Sequence, residues 1–259
     1  MTMIGNGDGT FQDPLLRVTD TFEGSAKSIT LADMNNDDVL DIIGMITETY
    51  DPILSSMAVM LGNGDGTFTE PFKLSADSNI LSKEIFTNDF DLDGNLDVVL
   101  PLDNRGGVLV YKGNGNGTLD PPSNPIIGSE NIGIADFNLD LLPDIVSVSP
   151  FFEITVWLGS PAGGFEISGH SIPVFGTETV DAVDINGDSI PDILAMDFAN
   201  QAEVYIGNGD GTFQSPVGIS AGPDPGQEVS PARADFNGDG KPDIAINSGW
   251  DDVIILIHE

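Results

Sequence analysis

Two short motifs alternate five times along this chain, and that alternation limits the possible folds more than any other feature. The first reads Gly-Asn-Gly-Asp-Gly-Thr-Phe at residues 5–11, 62–68 and 207–213, with degenerate copies at 113–119 and 159–165. The second is an Asp-rich loop starting at Asp33, Asp89, Asp136, Asp184 and Asp235. A unit of about fifty residues cannot bury its apolar face alone, so the copies must pack on one another as a repeat array.

The segments between the motifs read as strands. Residues 28–32, 97–100, 144–148, 203–206 and 252–257 are short, β-branched or alternating, and bounded by Gly, Asn, Asp or Pro. No stretch carries a 3.6-residue apolar period. Asn-Gly and Asp-Gly pairs suit hairpin turns, because those residues tolerate positive φ. Four strands per repeat is the size of a propeller blade. The expected fold is therefore all-β: a five-bladed β-propeller of four-stranded antiparallel blades, one domain over residues 1–259. Phe11, Phe68, Phe165 and Phe213, with Leu119 in one degenerate copy, are expected to pack between blades. Residues 253–258 fill a third-strand slot, so residues 5–16 are expected to complete the last blade and close the ring by pairing the termini. Left open, the same edge would pair with a second chain, giving a dimer in place of a monomer.

The Asp-rich loops place oxygen side chains at positions 1, 3, 5 and 9. These are Asp33, Asn35, Asp37 and Asp41 in the first loop and Asp89, Asp91, Asp93 and Asp97 in the second. The third has Asp136, Asn138, Asp140 and Asp144, the fourth Asp184, Asn186, Asp188 and Asp192, and the fifth Asp235, Asn237, Asp239 and Asp243. With a backbone carbonyl near position 7 (Val39, Asn95, Leu142, Ile190 or Lys241), such a set suits a hard cation, calcium first. Zinc and copper favour His or Cys, which these loops lack. An EF-hand would need Glu at position 12, where Gly44, Leu100, Ser147, Ala195 and Ile246 stand. The alternative is five Asx-rich hairpin turns without metal, which would leave sixteen carboxylates at these positions uncompensated. Position 6 is Gly in the second and fifth loops but Leu141 in the third, so the third site is expected to be the weakest or to differ in backbone.

Charge narrows the functions further. Forty-two Asp and Glu against 8 Lys and Arg give a formal −34, which repels nucleic acid backbones and anionic membranes. Hydrophobic residues make up 40% of the chain, so it is not an acidic disordered tail. With no cysteine, thiol chemistry and disulfides are excluded. The apolar runs are too short for a membrane helix, and no secretory leader is legible at the start. Met1-Thr2-Met3-Ile4 resembles the leader of the β-galactosidase fragment of common cloning vectors, which implies a fused or truncated piece of a longer gene.

The Asp-rich loops and Gly-Asn-Gly-Asp-Gly-Thr-Phe turns resemble the FG-GAP/VCBS repeats of integrin-like β-propellers, over nearly the whole chain. The resemblance implies calcium in the loop joining strands 1 and 2 of each blade, hence up to five structural ions, and an extracellular or periplasmic setting. Family rings more often hold seven repeats. The family includes adhesion modules, lectins and accessory domains of secreted enzymes, so it does not fix a function.

Strand parity puts the Asp-rich loops and Gly-rich turns at one end of each blade. The opposite turns carry Tyr50, Arg105, Phe151, Phe152, Phe198 and Trp250, a candidate rim for carbohydrate or a partner protein. Lys27, Glu84, Glu130, Glu178 and Glu228 precede the loops, and the four glutamates could converge on a channel and hold one further cation. That arrangement supports the rival expectation, a calcium-dependent phosphotriesterase, lactonase or esterase acting on a small ester, with His170 in a Gly/Ser-rich link as proton carrier. A third expectation is a fragment of a larger adhesin. Residues 218–222 match G-x-S-x-G but read as an outer strand ending in a loop, and no βαβ unit follows the Gly-rich turns, so neither a serine elbow nor a nucleotide site is expected.

Overall fold

Alternating apolar residues between Asx-Gly turns form strands throughout a computed structural model that describes residues 3–13, 24–48, 55–76, 82, 84–102, 107–122, 131–148, 153–174, 176–197, 201–220, 232–240, 242–247 and 253–256. The chain divides into two compact units, Met1–Pro125 and Ile126–Glu259. Among the described residues no helix is long and apolar enough to cross a membrane, which says nothing of β-barrels.

The first unit holds two sheets. One has the order β1 (Gly24–Ala32), β2 (Asp41–Glu48), β3 (Ser55–Met60), β4 (Phe72–Ala76), and the other β5 (Phe86–Asn88), β6 (Asp97–Leu102), β7 (Gly107–Tyr111). All pairings are antiparallel. Between the two sheets lies a core of Met34, Ile43, Met45, Met57 and Val59 from the first repeat and Val98, Leu100, Tyr111 and Leu119 from the second.

The second unit holds three sheets. They are β8 (Ile132–Ala135), β9 (Asp144–Val148), β10 (Glu153–Ser160) and β11 (Gly164–Pro173); β12 (Thr177–Val183), β13 (Asp192–Asp197), β14 (Gln201–Tyr205) and β15 (Val217–Ser220); and β16 (Ala232–Ala234), β17 (Asp243–Asn247) and β18 (Val253–Leu256). Phe137, Val146, Ile154 and Val156 pack on Val180, Ile193 and Tyr205 between the first two. Ile244 joins Leu194, Met196 and Val204 in a further cluster. Gly133 permits the close approach of β8 to β12, since a Cβ there would lie 2.6 Å from the Ala182 nitrogen.

The strand reading and the strand 1–loop–strand 2 placement of every Asp-rich loop hold. Val253–Leu256 is a third strand, as its slot in the repeat requires. Closure is a different matter: no sheet closes on itself among the described residues. Residues 3–13 show only the Gly5–Phe11 bridge of their own turn, and residues 14–16 lie outside the description. Phe11 is 62% exposed, which departs from its expected place between blades. Phe213 does take that place, its ring edge-on to Phe137 of the preceding repeat at 5.6 Å, and Leu119 is buried in the first core.

Candidate metal centres

Each Asp-rich loop is organised by its own carboxylates in one repeated pattern. The position 1 carboxylate accepts the N–H of positions 5 and 6 in all five loops, at 2.7–3.2 Å. The position 5 carboxylate accepts the N–H of position 7 in four loops; Lys241 lies outside the described residues. Winding the chain this tightly requires left-handed backbone at positions 4 and 6. The residues there are Asn36 and Asp38, Leu92 and Gly94, Leu139 and Leu141, Gly187 and Ser189, and Gly238 and Gly240, all at φ between 58° and 88°.

The third loop therefore keeps the same backbone despite its two leucines, which removes one of the two expected differences and leaves a weaker site as the other. The oxygen lattice and the apolar position 2 anchor hold the turn, and Leu139 and Leu141 carry the left-handed penalty. Leu141 is 78% exposed and has no packing to lose. A left-handed L-residue costs roughly 1–2 kcal/mol, partly cancelled by glycine's extra chain entropy. Leu141→Gly is thus expected to stabilise the metal-free protein by about 0.5–1 kcal/mol in urea unfolding; a loss of stability would show that Leu141 is not strained.

Position 9 does something the spacing alone did not reveal. Asp41, Asp97, Asp144, Asp192 and Asp243 are fully buried or nearly so. One oxygen of each accepts the position 2 N–H at 2.8–3.0 Å. In the first four, the other oxygen accepts, at 2.8 Å, the N–H of the first glycine of the Gly-rich turn: Gly62, Gly113, Gly159 and Gly207. These glycines sit against the position 8 carbonyl, and at Gly113 an added Cβ would fall 1.9 Å from the Leu96 oxygen. In these four repeats the two motifs are thereby one bonded structure at one end of the sheet, as strand parity requires. The acid of the Gly-rich turn is engaged elsewhere: Asp65 accepts from both the N–H and the hydroxyl of Thr67, and Asp210 likewise from Thr212. Successive repeats are stitched by Gly117 N–H to the Met34 carbonyl and Gly211 N–H to the Phe137 carbonyl.

Burial pushes the Asp144 carboxyl up to about 6, opposed by its two backbone N–H donors and reinforced by Asp140 and Asp136. Burial likewise raises Asp97 and Asp192. These are carboxylates held together at an energetic cost that a cation would offset. The oxygens of Asp89, Asp91 and Asp97 all lie within 4.8 Å of one another, a set that could hold a metal ion. In the first loop, Asn35 Oδ1 is buried with no hydrogen-bond donor among the described residues. Hard, convergent oxygens and an acceptor left without a donor fit a calcium-type cation.

The twenty side-chain positions expected to ligate metal all lie among the described residues, and of them Asp89, Asp91 and Asp97 bring three carboxylates within 4.8 Å of one another. Of the other candidates, Glu84, Glu178, Lys27 and His170 lie among the described residues. Tyr50, Arg105, Phe151, Phe152, Phe198, Trp250, Glu130 and Glu228 lie outside the described residues. Glu84 is exposed beside Ser82, and Glu178 and Lys27 fall in β12 and β1 without described side chains. His170 is corrected from a link to a strand. It lies in β11 at a bulge, where Thr155 pairs with Ser171 but Trp157 with Ile167, and Gly169 at φ 82° absorbs the extra residues. Gly218 to Ser220 end the outer strand β15, which leaves no serine elbow there. One residue went unnoticed in the sequence: Lys112, whose ammonium contacts Asp91 and lies 3.0 Å from Asp93.

Residues 89–147 and 184–246 match the FG-GAP-like repeat; the chain carries FG-GAP-like repeats, and four of its five Asp-rich loops lie in the matched segments. No curated protein matches the sequence. Among solved structures, the chain is similar to BBS1N, crystallised in complex with ARL6DN and soaked with lead, at 11% identity and TM-score 0.56, over 93% of this chain and 65% of that one. It is also similar to the BP39L lectin from Burkholderia pseudomallei, at 16% identity and TM-score 0.55, over 90% of this chain and 70% of the lectin. At these identities the likeness concerns the fold, which is propeller-like.

Proposed function

We propose that this chain is a calcium-stabilised β-propeller binding module of the extracellular or periplasmic space, with carbohydrate or a partner protein as its ligand. The carrying observation is the fivefold recurrence of one oxygen lattice in which a buried position 9 carboxylate is joined by further acids at positions 1 and 5. Backbone donors answer only part of that negative charge, and a cation would answer the rest. FG-GAP repeats often bind calcium and are typically extracellular, where the ion is abundant enough for such sites. The lectin likeness supports a binding role, and the blade ends opposite the Asp-rich loops are the surface assigned to it. The ions are structural, tying strand 1 to strand 2 in each blade.

Calorimetric titration of the chelated protein with calcium is expected to count at least four ions per chain. The loaded protein, screened on immobilised glycans, should retain binding only while calcium keeps it folded. Fewer than four ions would sink the calcium assignment. Calcium-dependent turnover of activated phosphotriester, ester or lactone substrates by the folded protein would overturn the non-catalytic reading.

A further inference from the structure

Repeat two departs from its siblings at two positions at once. Position 3 is Asp91, where the other loops have Asn35, Asn138, Asn186 and Asn237. The residue before the first glycine of the Gly-rich turn is Lys112, where the other repeats have Ile4, Leu61, Leu158 and Ile206. These departures meet in space. In the four other loops the position 3 amide Nδ2 donates to the position 5 carboxylate at 2.9 Å. Asp91 has no such donor, and the Lys112 ammonium reaches in from the end of β7 to supply it, contacting Asp91 and lying 3.0 Å from Asp93 Oδ2. In a chain with 8 Lys and Arg in total, a cation against two of the four carboxylates of one loop is a local charge balance of its own.

From this we infer that Lys112 is a tethered competitor for calcium in the second loop. The inference rests on the calcium reading above. Without the lysine this loop would have the most acidic ligand set of the five, with four carboxylates at positions 1, 3, 5 and 9 against three carboxylates and one Asn in each of the others. More ligand charge means tighter binding. With the lysine in place, an incoming cation must displace an ammonium from Asp91 and Asp93 before those oxygens can turn to it. The second loop therefore fills last, and the protein keeps that repeat folded at calcium concentrations that leave the loop empty. The lysine is 46% exposed, so it can swing into solvent as the ion enters.

Calorimetry and melting of the full chain test this with calcium alone as the probe. In the wild type, one binding step should be weaker than the rest, and it should vanish in Asp93→Ala. In Lys112→Met that step should tighten about tenfold or more. Lys112→Met should also melt lower than wild type in chelator and higher in excess calcium. Lys112→Gln keeps a donor without the charge: competition by charge makes it behave as Lys112→Met, whereas a purely structural hydrogen bond makes it behave as wild type. Unchanged isotherms, or a melting point lowered in both conditions, would overturn the competitor while leaving the calcium sites standing. Absence of calcium binding by wild type and variants alike would overturn the calcium reading and this inference with it.

Discussion

Asp192→Ala is expected to destabilise the protein by roughly 3–5 kcal/mol in chelator, before any cation is involved. The carboxylate is fully buried and serves two backbone donors, the N–H of Ile185 at 2.9 Å and of Gly207 at 2.8 Å. Deleting it strands both donors in the interior, at about 1–3 kcal/mol each, and leaves a small void. It also cuts the joint between the Asp-rich loop and the Gly-rich turn. Asp188→Ala supplies the contrast. That carboxylate is exposed and holds the N–H of Ile190 at the surface, so in chelator its loss should cost less than about 1 kcal/mol. Both variants should lose one calcium ion. Chemical unfolding of the two proteins in chelator, followed by calcium titration, separates the roles. Equal stabilities in chelator would show that position 9 is only a ligand and not a joint.

The contrast between positions 5 and 9 explains what was legible in the sequence. Spacing 1, 3, 5, 9 is a local property, and a turn of nine residues brings its own side chains together whatever surrounds it. The strands between turns were legible for the same reason, their alternation being written residue by residue. The position 9 joint was not legible, because Gly62 stands far from Asp41 in the chain and only the β2–β3 register brings them together. Left-handed backbone at position 4 escaped notice because Leu92 and Leu139 are residues that avoid it; the oxygen lattice overrides local preference. Lys112 is distant in sequence from the acids of the second loop, and only the β6–β7 pairing of Val98 with Tyr111 sets it beside them. His170 was misplaced because glycine in a strand reads as a break, whereas here Gly169 serves a bulge.

Withdrawing calcium is expected to produce the largest change of all, with a characteristic pH signature. An ion that binds only the folded chain adds about 4 kcal/mol per site at a thousandfold excess over its dissociation constant. Even two such sites correspond to a melting shift of roughly 15 °C or more for a protein of this size. The sign of the pH dependence should invert with loading. Without metal, burial holds Asp144 near 6 when folded against 3.8 for the ordinary group, so the folded chain binds more protons than the unfolded chain between those values. Its contribution therefore falls as pH rises from about 4 to 6, by up to roughly 3 kcal/mol. With calcium bound the carboxylates are held ionised, protons compete with the ion, and stability rises over the same interval. Melting curves at pH 4.5, 5.5 and 6.5, each in chelator and in excess calcium, would show the two trends crossing. Parallel trends, or a melting point indifferent to chelator, would mean that these loops are held by their backbone hydrogen bonds alone.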